Sequence, residues 1–111
     1  MMVFEFFKKQ YDEKIAEGAG TTKYCAINPE VQRGSFRWVQ IASRYFFGGA
    51  YQQKFEACGI TLAQLKEAKE SGVVKYWYND NWLARQMGHK DHWSLTAKGL
   101  KTLYKMYEGQ W

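Results

Sequence analysis

The sequence predicts an α+β domain that is mainly helical, on three observations. Its 111 residues match the usual size of one domain. Four segments carry apolar residues at helical spacing. Residues 73–78 are rich in β-branched and aromatic side chains and are followed by turn residues. We expect one domain, with an N-terminal helix in residues 1–20, a helical core in 35–72, a hairpin in 73–95 and a C-terminal helix in 96–108.

The N-terminal segment, residues 3–17, has the pattern of an amphipathic helix. Its apolar stripe consists of Phe4, Phe7, Tyr11 and Ile15. We expect its charged residues to face water, namely Lys8, Asp12, Glu13 and Lys14. Gly18 and Gly20 end this helix, and residues 21–34 form a loop with a short strand near residues 22–27.

The central segment begins at Ser35, which can cap a helix running to about residue 47. One face of this helix carries Trp38, Ile41, Ala42 and Tyr45. The pair Gly48-Gly49 breaks it, residues 50–57 are expected to form a short second helix, and residues 58–60 make a tight turn.

The motif Thr61-Leu62-Ala63-Gln64 fits a capping box, so a helix is predicted to begin at Thr61 and to end at Gly72. A strand in residues 73–78, a loop in 82–91 and a return strand in 92–95 follow. Thr96 can cap a last helix. The buried stripe of that helix is expected to be Leu100, Leu103, Tyr104 and Tyr107.

The second half of the chain carries an ordered set of motifs that begin and end its helices and strands. A short helix and a tight turn precede the capped helix, which ends in Glu70-Ser71-Gly72-Val73-Val74; the hairpin leads into Trp93-Ser94-Leu95-Thr96-Ala97-Lys98-Gly99-Leu100. Over residues 50–107 this set resembles the winged helix-turn-helix regulators of the MarR and PadR kind. Gly72 would let the chain leave its helix in a left-handed conformation, and Gly99 would let the last helix approach the sheet closely. Another small α+β domain with a similar order of helix caps, glycines and turns is the alternative interpretation of these motifs.

The resemblance implies double-stranded DNA as partner, with residues 61–71 as the recognition helix and the hairpin as the wing. The net charge of +5 suits an anionic partner. The candidate nucleic-acid-binding residues are Thr61, Gln64, Lys66, Lys75, Arg85, Lys90, Lys98 and Lys101.

The predicted recognition helix has an unfavourable charge for this role. With Leu62, Leu65 and Ala68 facing the core, its outward residues are Ala63, Gln64, Glu67, Glu70 and Ser71, with Lys66 at one side. Glutamates near a polyanion oppose binding. The wing and the last helix are therefore expected to carry the contacts, since Lys98, Lys101 and Lys105 share a helical face. A solvated lysine face explains that pattern equally well. A second basic group, Arg33, Arg37 and Arg44, either holds phosphate or covers core aromatic rings with its stems.

Three functions follow, in order of preference. The first is a small DNA-binding protein, a transcriptional regulator of bacterial or phage type, that forms a homodimer through its terminal helices. The second is a winged-helix module, an inhibitor or adaptor, that binds another protein through aromatic wing residues and the acidic outer face of the helix in residues 61–71. In the chain, 18% of the residues are aromatic, and these either fill a bulky core or lie at a partner surface. The third is association with RNA or the ribosome.

Other functions lack a suitable set of residues. His89 and His92 have no further ligand nearby to complete a zinc site, and Cys25 and Cys58 stand in no paired motif. We expect no enzymatic activity and no cofactor, because no catalytic constellation is evident. The charged N-terminal segment lacks the apolar stretch of a signal peptide, and no segment approaches a membrane span, so a cytoplasmic protein is expected.

Overall fold

The computed structural model describes residues 2–21, 26–45, 49–88 and 91–111. Within these ranges the helices are α1 (Met2–Ala16), α2 (Phe36–Tyr45), α3 (Gln52–Ala57), α4 (Leu62–Glu70), α5 (Trp82–Gln86) and α6 (Ala97–Met106). The strands are β1 (Ala50–Tyr51), β2 (Val74–Trp77) and β3 (His92–Leu95). Most of the strand expected near residues 22–27, the side chain of Tyr45, and the residues Cys25, His89 and Lys90 lie outside the described part. The prediction of an α+β, mainly helical domain is confirmed.

The three strands form an antiparallel sheet in the order β1-β3-β2. Lys75 pairs with Ser94 and Trp77 pairs with His92. Because side chains alternate along a strand, these four residues share one face of the sheet. Val74, Tyr76 and Trp93 occupy the opposite face, where Val74 and Trp93 are buried in the core.

Aromatic residues dominate the core on the side of α1. The ring of Phe6 lies 4.3 Å from that of Phe55 on α3, and Phe7 meets the same ring edge to face. The indole nitrogen of Trp38 on α2 donates a buried hydrogen bond of 2.9 Å to the hydroxyl of Tyr11. These contacts bury Phe7 and Tyr11 of the predicted stripe within the core.

The predicted helix starts are confirmed by their hydrogen bonds. The backbone amide of Trp38 donates to the Ser35 hydroxyl, and both hydrogen bonds of the predicted capping box form between Thr61 and Gln64. Thr96 caps α6 by accepting from the amide of Gly99. Gly72 has a φ of +78°, the left-handed conformation expected of it.

The structure corrects two predicted elements. Ala50 and Tyr51, expected to begin a helix, form β1 because they pair with Trp93 and His92 of β3. The expected loop in residues 82–91 contains the short helix α5. The Asn81 side chain caps this helix by accepting hydrogen bonds from the backbone amides of Leu83 and Ala84.

The prediction that Lys8 faces water is wrong. Lys8 is 7% exposed, and its ammonium lies 5.1–5.8 Å from the ring centres of Tyr11, Tyr107 and Trp111. It also donates to Asp12 at 2.5 Å. A lysine stem packs well against aromatic rings while its charge finds a carboxylate. Two of those rings belong to the last residues of the chain, so the spacing within α1 gave no sign of them.

In the described part of the chain, each helix is too short or too polar to traverse a lipid bilayer.

Candidate nucleic-acid interface

Helix α4 is set in place by its first turn. The Thr61 hydroxyl accepts from the Gln64 amide at 3.2 Å, and the Gln64 side-chain oxygen accepts from the Thr61 amide at 2.8 Å. The side-chain nitrogen of Gln64 lies 3.5 Å from the sulfur of Met2 at the start of α1. Thr61 and Gln64, both candidate DNA contacts, are therefore engaged in capping α4, and Gln64 also contacts the start of α1.

The outward face of α4 is more basic than the sequence pattern indicates. Leu65 and Ala68 are fully buried, as predicted. The exposed residues of the helix are Ala63, Lys66, Glu67, Lys69 and Glu70. Lys69 was missed as a candidate because it flanks the apolar stripe. Its position three residues after Lys66, which makes the two lysines neighbours on the helix surface, was the available signal.

A hydrogen bond joins this face to the last helix. The ε-amino group of Lys98 donates to the backbone carbonyl of Ser71 at 3.1 Å, at the C-terminal end of α4. A cation is favourable there because the helix dipole is negative at that end. Lys101 and Lys105 follow at helical spacing and are exposed. We call Lys66, Lys69, Lys98, Lys101 and Lys105 the lysine strip.

Lys75 belongs to the sheet and not to the lysine strip, and it shares a sheet face with Trp77 and Ser94. It borders a groove together with Arg44 at the end of α2. Arg44 and Arg37 also border an adjoining hollow on α2. Arg33 instead places its guanidinium 5.9 Å from the Trp38 ring, which matches the expectation that an arginine of this group covers a core aromatic.

Arg85 is bound within the wing. Its guanidinium donates to the Asp91 carboxylate at 2.6 Å and to the carbonyl of Asn79 at 3.1 Å. It also lies 4.8 Å from the Tyr78 ring centre. The charge of this candidate contact is thus largely matched inside the wing. Lys90, the other candidate of this loop, lies outside the described residues.

Asp91 organises the base of the wing. It accepts a short hydrogen bond from the Tyr76 hydroxyl and another of 2.9 Å from the Asn79 amide. The Tyr76 hydroxyl, followed by the Asn79 amide and Arg85, lowers the pKa of the Asp91 carboxyl. The same hydrogen bond to Asp91 raises the pKa of Tyr76.

The tip of the wing exposes apolar side chains. Trp82 is 68% exposed, Leu83 54% and Met87 72%. Of the other two wing tryptophans, Trp93 is buried against Tyr76 and Trp77 stacks on His92 at 4.7 Å. The expected ring pairing across the hairpin is therefore found for two of the three tryptophans, whereas Trp82 makes no ring contact with another described residue.

Among residues 2–21, 26–45, 49–88 and 91–111, no three His, Cys, Asp or Glu side chains cluster as metal ligands do. Cys58 is a free, exposed thiol. No family model matches the chain, and no match was found among curated proteins or among solved structures.

Proposed function

We propose that this chain is a winged helix-turn-helix protein that binds double-stranded DNA, as a transcriptional regulator of bacterial or phage type does. Helices α3 and α4 are separated by residues 58–61, with Gly59 at a φ of +83°. A turn of about three or four residues that contains glycine is typical of the helix-turn-helix motif. The hairpin and the capped helix α6 follow in the order on which the resemblance rests.

The observation that carries the proposal is the bond between Lys98 and the Ser71 carbonyl. It places Lys98, at the start of α6, beside the end of α4, the helix that carries Lys66 and Lys69. Lysines in such an arrangement bind phosphates of the DNA backbone, and phosphate contacts supply most of the affinity for duplex DNA.

The proposed binding relies on phosphate contacts more than on base contacts. Reading an adenine takes both the oxygen and the nitrogen of a Gln side chain, and the Gln64 oxygen is engaged in the cap. Glu67 and Glu70 on the exposed face oppose close approach to phosphate. We therefore expect a steep dependence of affinity on salt and a modest preference for sequence.

The test is a titration of labelled random-sequence duplex DNA at several salt concentrations. For the double variant Lys101→Ala/Lys105→Ala, we expect weaker binding and a salt slope smaller by about 2, because each lost phosphate contact removes about 1. The matched control is Lys9→Ala/Lys14→Ala, which removes the same charge from α1. The proposal fails if the wild type shows no salt-dependent affinity, or if both double variants lose affinity equally.

Exposed residues at the wing tip favour a second candidate function, the binding of another protein. Trp82, Leu83 and Met87 are more than half exposed on one short hairpin loop, and Trp is among the residues enriched in binding hot spots. A protein that co-purifies without nucleic acid and is lost from Trp82→Ser/Met87→Ser would support this function. Retention of that protein by the variant would exclude the wing tip.

A further inference from the structure

We propose that the groove between the end of α2, the sheet and the start of α6 binds a small phosphorylated ligand with a flat ring, of the chemistry of a nucleoside monophosphate. The groove has a volume of about 540 Å³, which lies within the usual range for small-molecule sites, about 300–1,000 Å³. This inference goes beyond the proposed function and does not require the protein to bind DNA.

Two cations from different elements face the groove. Arg44 enters from α2 and Lys75 from β2. Arg44 makes no hydrogen bond or ion pair with any other described residue, and the described residues that border the groove include no carboxylate. An arginine that is free of a carboxylate can bind a phosphate through two parallel hydrogen bonds.

A largely buried serine at the groove provides independent support. Ser94 on β3 is 6% exposed and borders the groove, directly across the strand pair from Lys75. Its side chain has no hydrogen-bond partner among the described residues. Because its side chain borders the open groove beside two cations, its hydroxyl is available to hydrogen-bond a ligand oxygen.

The start of α6 adds donors at the same place. The Thr96 hydroxyl is already occupied, since it accepts from the Gly99 amide at 3.0 Å and donates to the Gly72 carbonyl at 2.5 Å. The amides of Ala97 and Lys98 precede the first intrahelical bond and are left for another acceptor. Ala97 borders the groove, so these amides and the positive end of the helix dipole favour an anion there.

The remaining wall of the groove suits a flat ring. Trp77 is 46% exposed, and its indole is held in place by stacking on His92 with an angle of 26° between the rings. Leu95 and Leu100 provide apolar surface beside it. A planar ring joined to the phosphate can lie against this wall, as bases stack on exposed aromatic side chains.

The experiment is calorimetric titration of the full chain with adenosine 5′-monophosphate, adenosine and inorganic phosphate. We expect the monophosphate to bind more tightly than either fragment, because only it contacts both the cations and the ring wall. Arg44→Ala should weaken binding about tenfold or more, and Ser94→Ala several-fold. Arg37→Ala, on the same helix but outside the groove, is the matched control and should bind as the wild type does.

Each other outcome overturns the inference. Equal affinity for adenosine and the monophosphate excludes a phosphate site, and equal affinity for inorganic phosphate and the monophosphate excludes the ring wall. Unchanged binding by Arg44→Ala or Ser94→Ala excludes this groove. The variant Lys101→Ala/Lys105→Ala should keep its affinity for the monophosphate, so failure of this inference is distinguishable from failure of DNA binding.

Discussion

Gly99 lies against the backbone carbonyl of Val73, so close that a β-carbon at position 99 would overlap the carbonyl oxygen. That same oxygen accepts the backbone amide of Thr96 at 3.0 Å, which fixes α6 on the segment leading into β2. Gly99→Ala should therefore force the two backbones apart. We expect the free energy of unfolding in urea to fall by about 1–3 kcal/mol, as for other overpacked sites.

The control for Gly99→Ala is Lys101→Ala, an exposed position on the same helix, where the expected change is within about 0.5 kcal/mol. Equal stability of Gly99→Ala and the wild type would mean that α6 can shift away from Val73 without loss.

Local features of this fold are predictable from the sequence because their determinants are adjacent in the chain. The capping box of α4 needs only Thr61 and Gln64, three residues apart, and both of its hydrogen bonds form. Gly72 and Gly99 were likewise predicted from their positions at a helix end and beside a strand. The helices and the hairpin follow from such short-range patterns.

Features that depend on distant residues were not predictable in this way. The strand β1 exists because Ala50 pairs with Trp93, and no local pattern in residues 50–57 indicates that pairing. Lys8 is buried because Trp111 reaches it from the other end of the chain. Tertiary contacts of this kind override local propensity.

The same distinction applies to the candidate site. The lysine face of α6 follows from helical spacing, whereas its junction with α4 through Ser71 requires the folded chain. The groove joins Arg44 to Lys75, 31 residues later, and to Ser94, 50 residues later, and no local sequence pattern indicates this arrangement. The ion pair of Arg85 with Asp91 lies within one loop. The opposite charges of Arg85 and Asp91 within that short loop could have indicated this ion pair from the sequence.

The pKa of Asp91 should depend on the hydroxyl of Tyr76. The hydrogen bond from that hydroxyl is the largest of the causes that lower the pKa of Asp91. Tyr76→Phe should therefore raise the Asp91 pKa toward its usual value of about 3.9. An NMR titration of the carboxyl carbon measures this. Tyr78→Phe is the matched control, because among the described residues Tyr78 makes no hydrogen bond to Asp91. Equal pKa values in the two variants would contradict the role of Tyr76.

The lowered pKa also predicts a pH dependence of stability. A carboxyl with a folded-state pKa below its unfolded value contributes stability above the unfolded pKa, about 3.9, and loses it as the pH falls through the folded value. The wild type should therefore lose more stability than Asp91→Asn when the pH drops below about 4. Urea unfolding of both proteins at neutral and acidic pH provides the comparison, and parallel losses would contradict the prediction.

Replacement of Lys8 should destabilise the fold although the residue is charged. Lys8→Ala removes a stem packed against Tyr107 and Trp111 together with the charge near their rings, so we expect a loss of about 1–3 kcal/mol. Lys8→Met keeps most of the stem and should lose less. Lys9→Ala, the exposed neighbour, is the control in the same urea experiment. A Lys8→Ala variant as stable as Lys9→Ala would show that the ring contacts contribute nothing.

Two threonine caps differ in a way that mutation can measure. The Thr61 hydroxyl accepts from one exposed amide and donates only to the exposed side-chain oxygen of Gln64, so Thr61→Ala should cost about 1 kcal/mol. The Thr96 hydroxyl accepts from the Gly99 amide and also donates to the partly buried carbonyl of Gly72, so it connects the start of α6 to the turn after α4. Thr96→Ala loses both bonds and leaves the carbonyl with one acceptor site unsatisfied, which raises the expected cost to about 2 kcal/mol or more. Thr96→Ser retains the hydroxyl and should restore most of that stability in urea unfolding. If the alanine variants at 61 and 96 lose the same stability, the bond from Thr96 to Gly72 makes no net contribution to the fold.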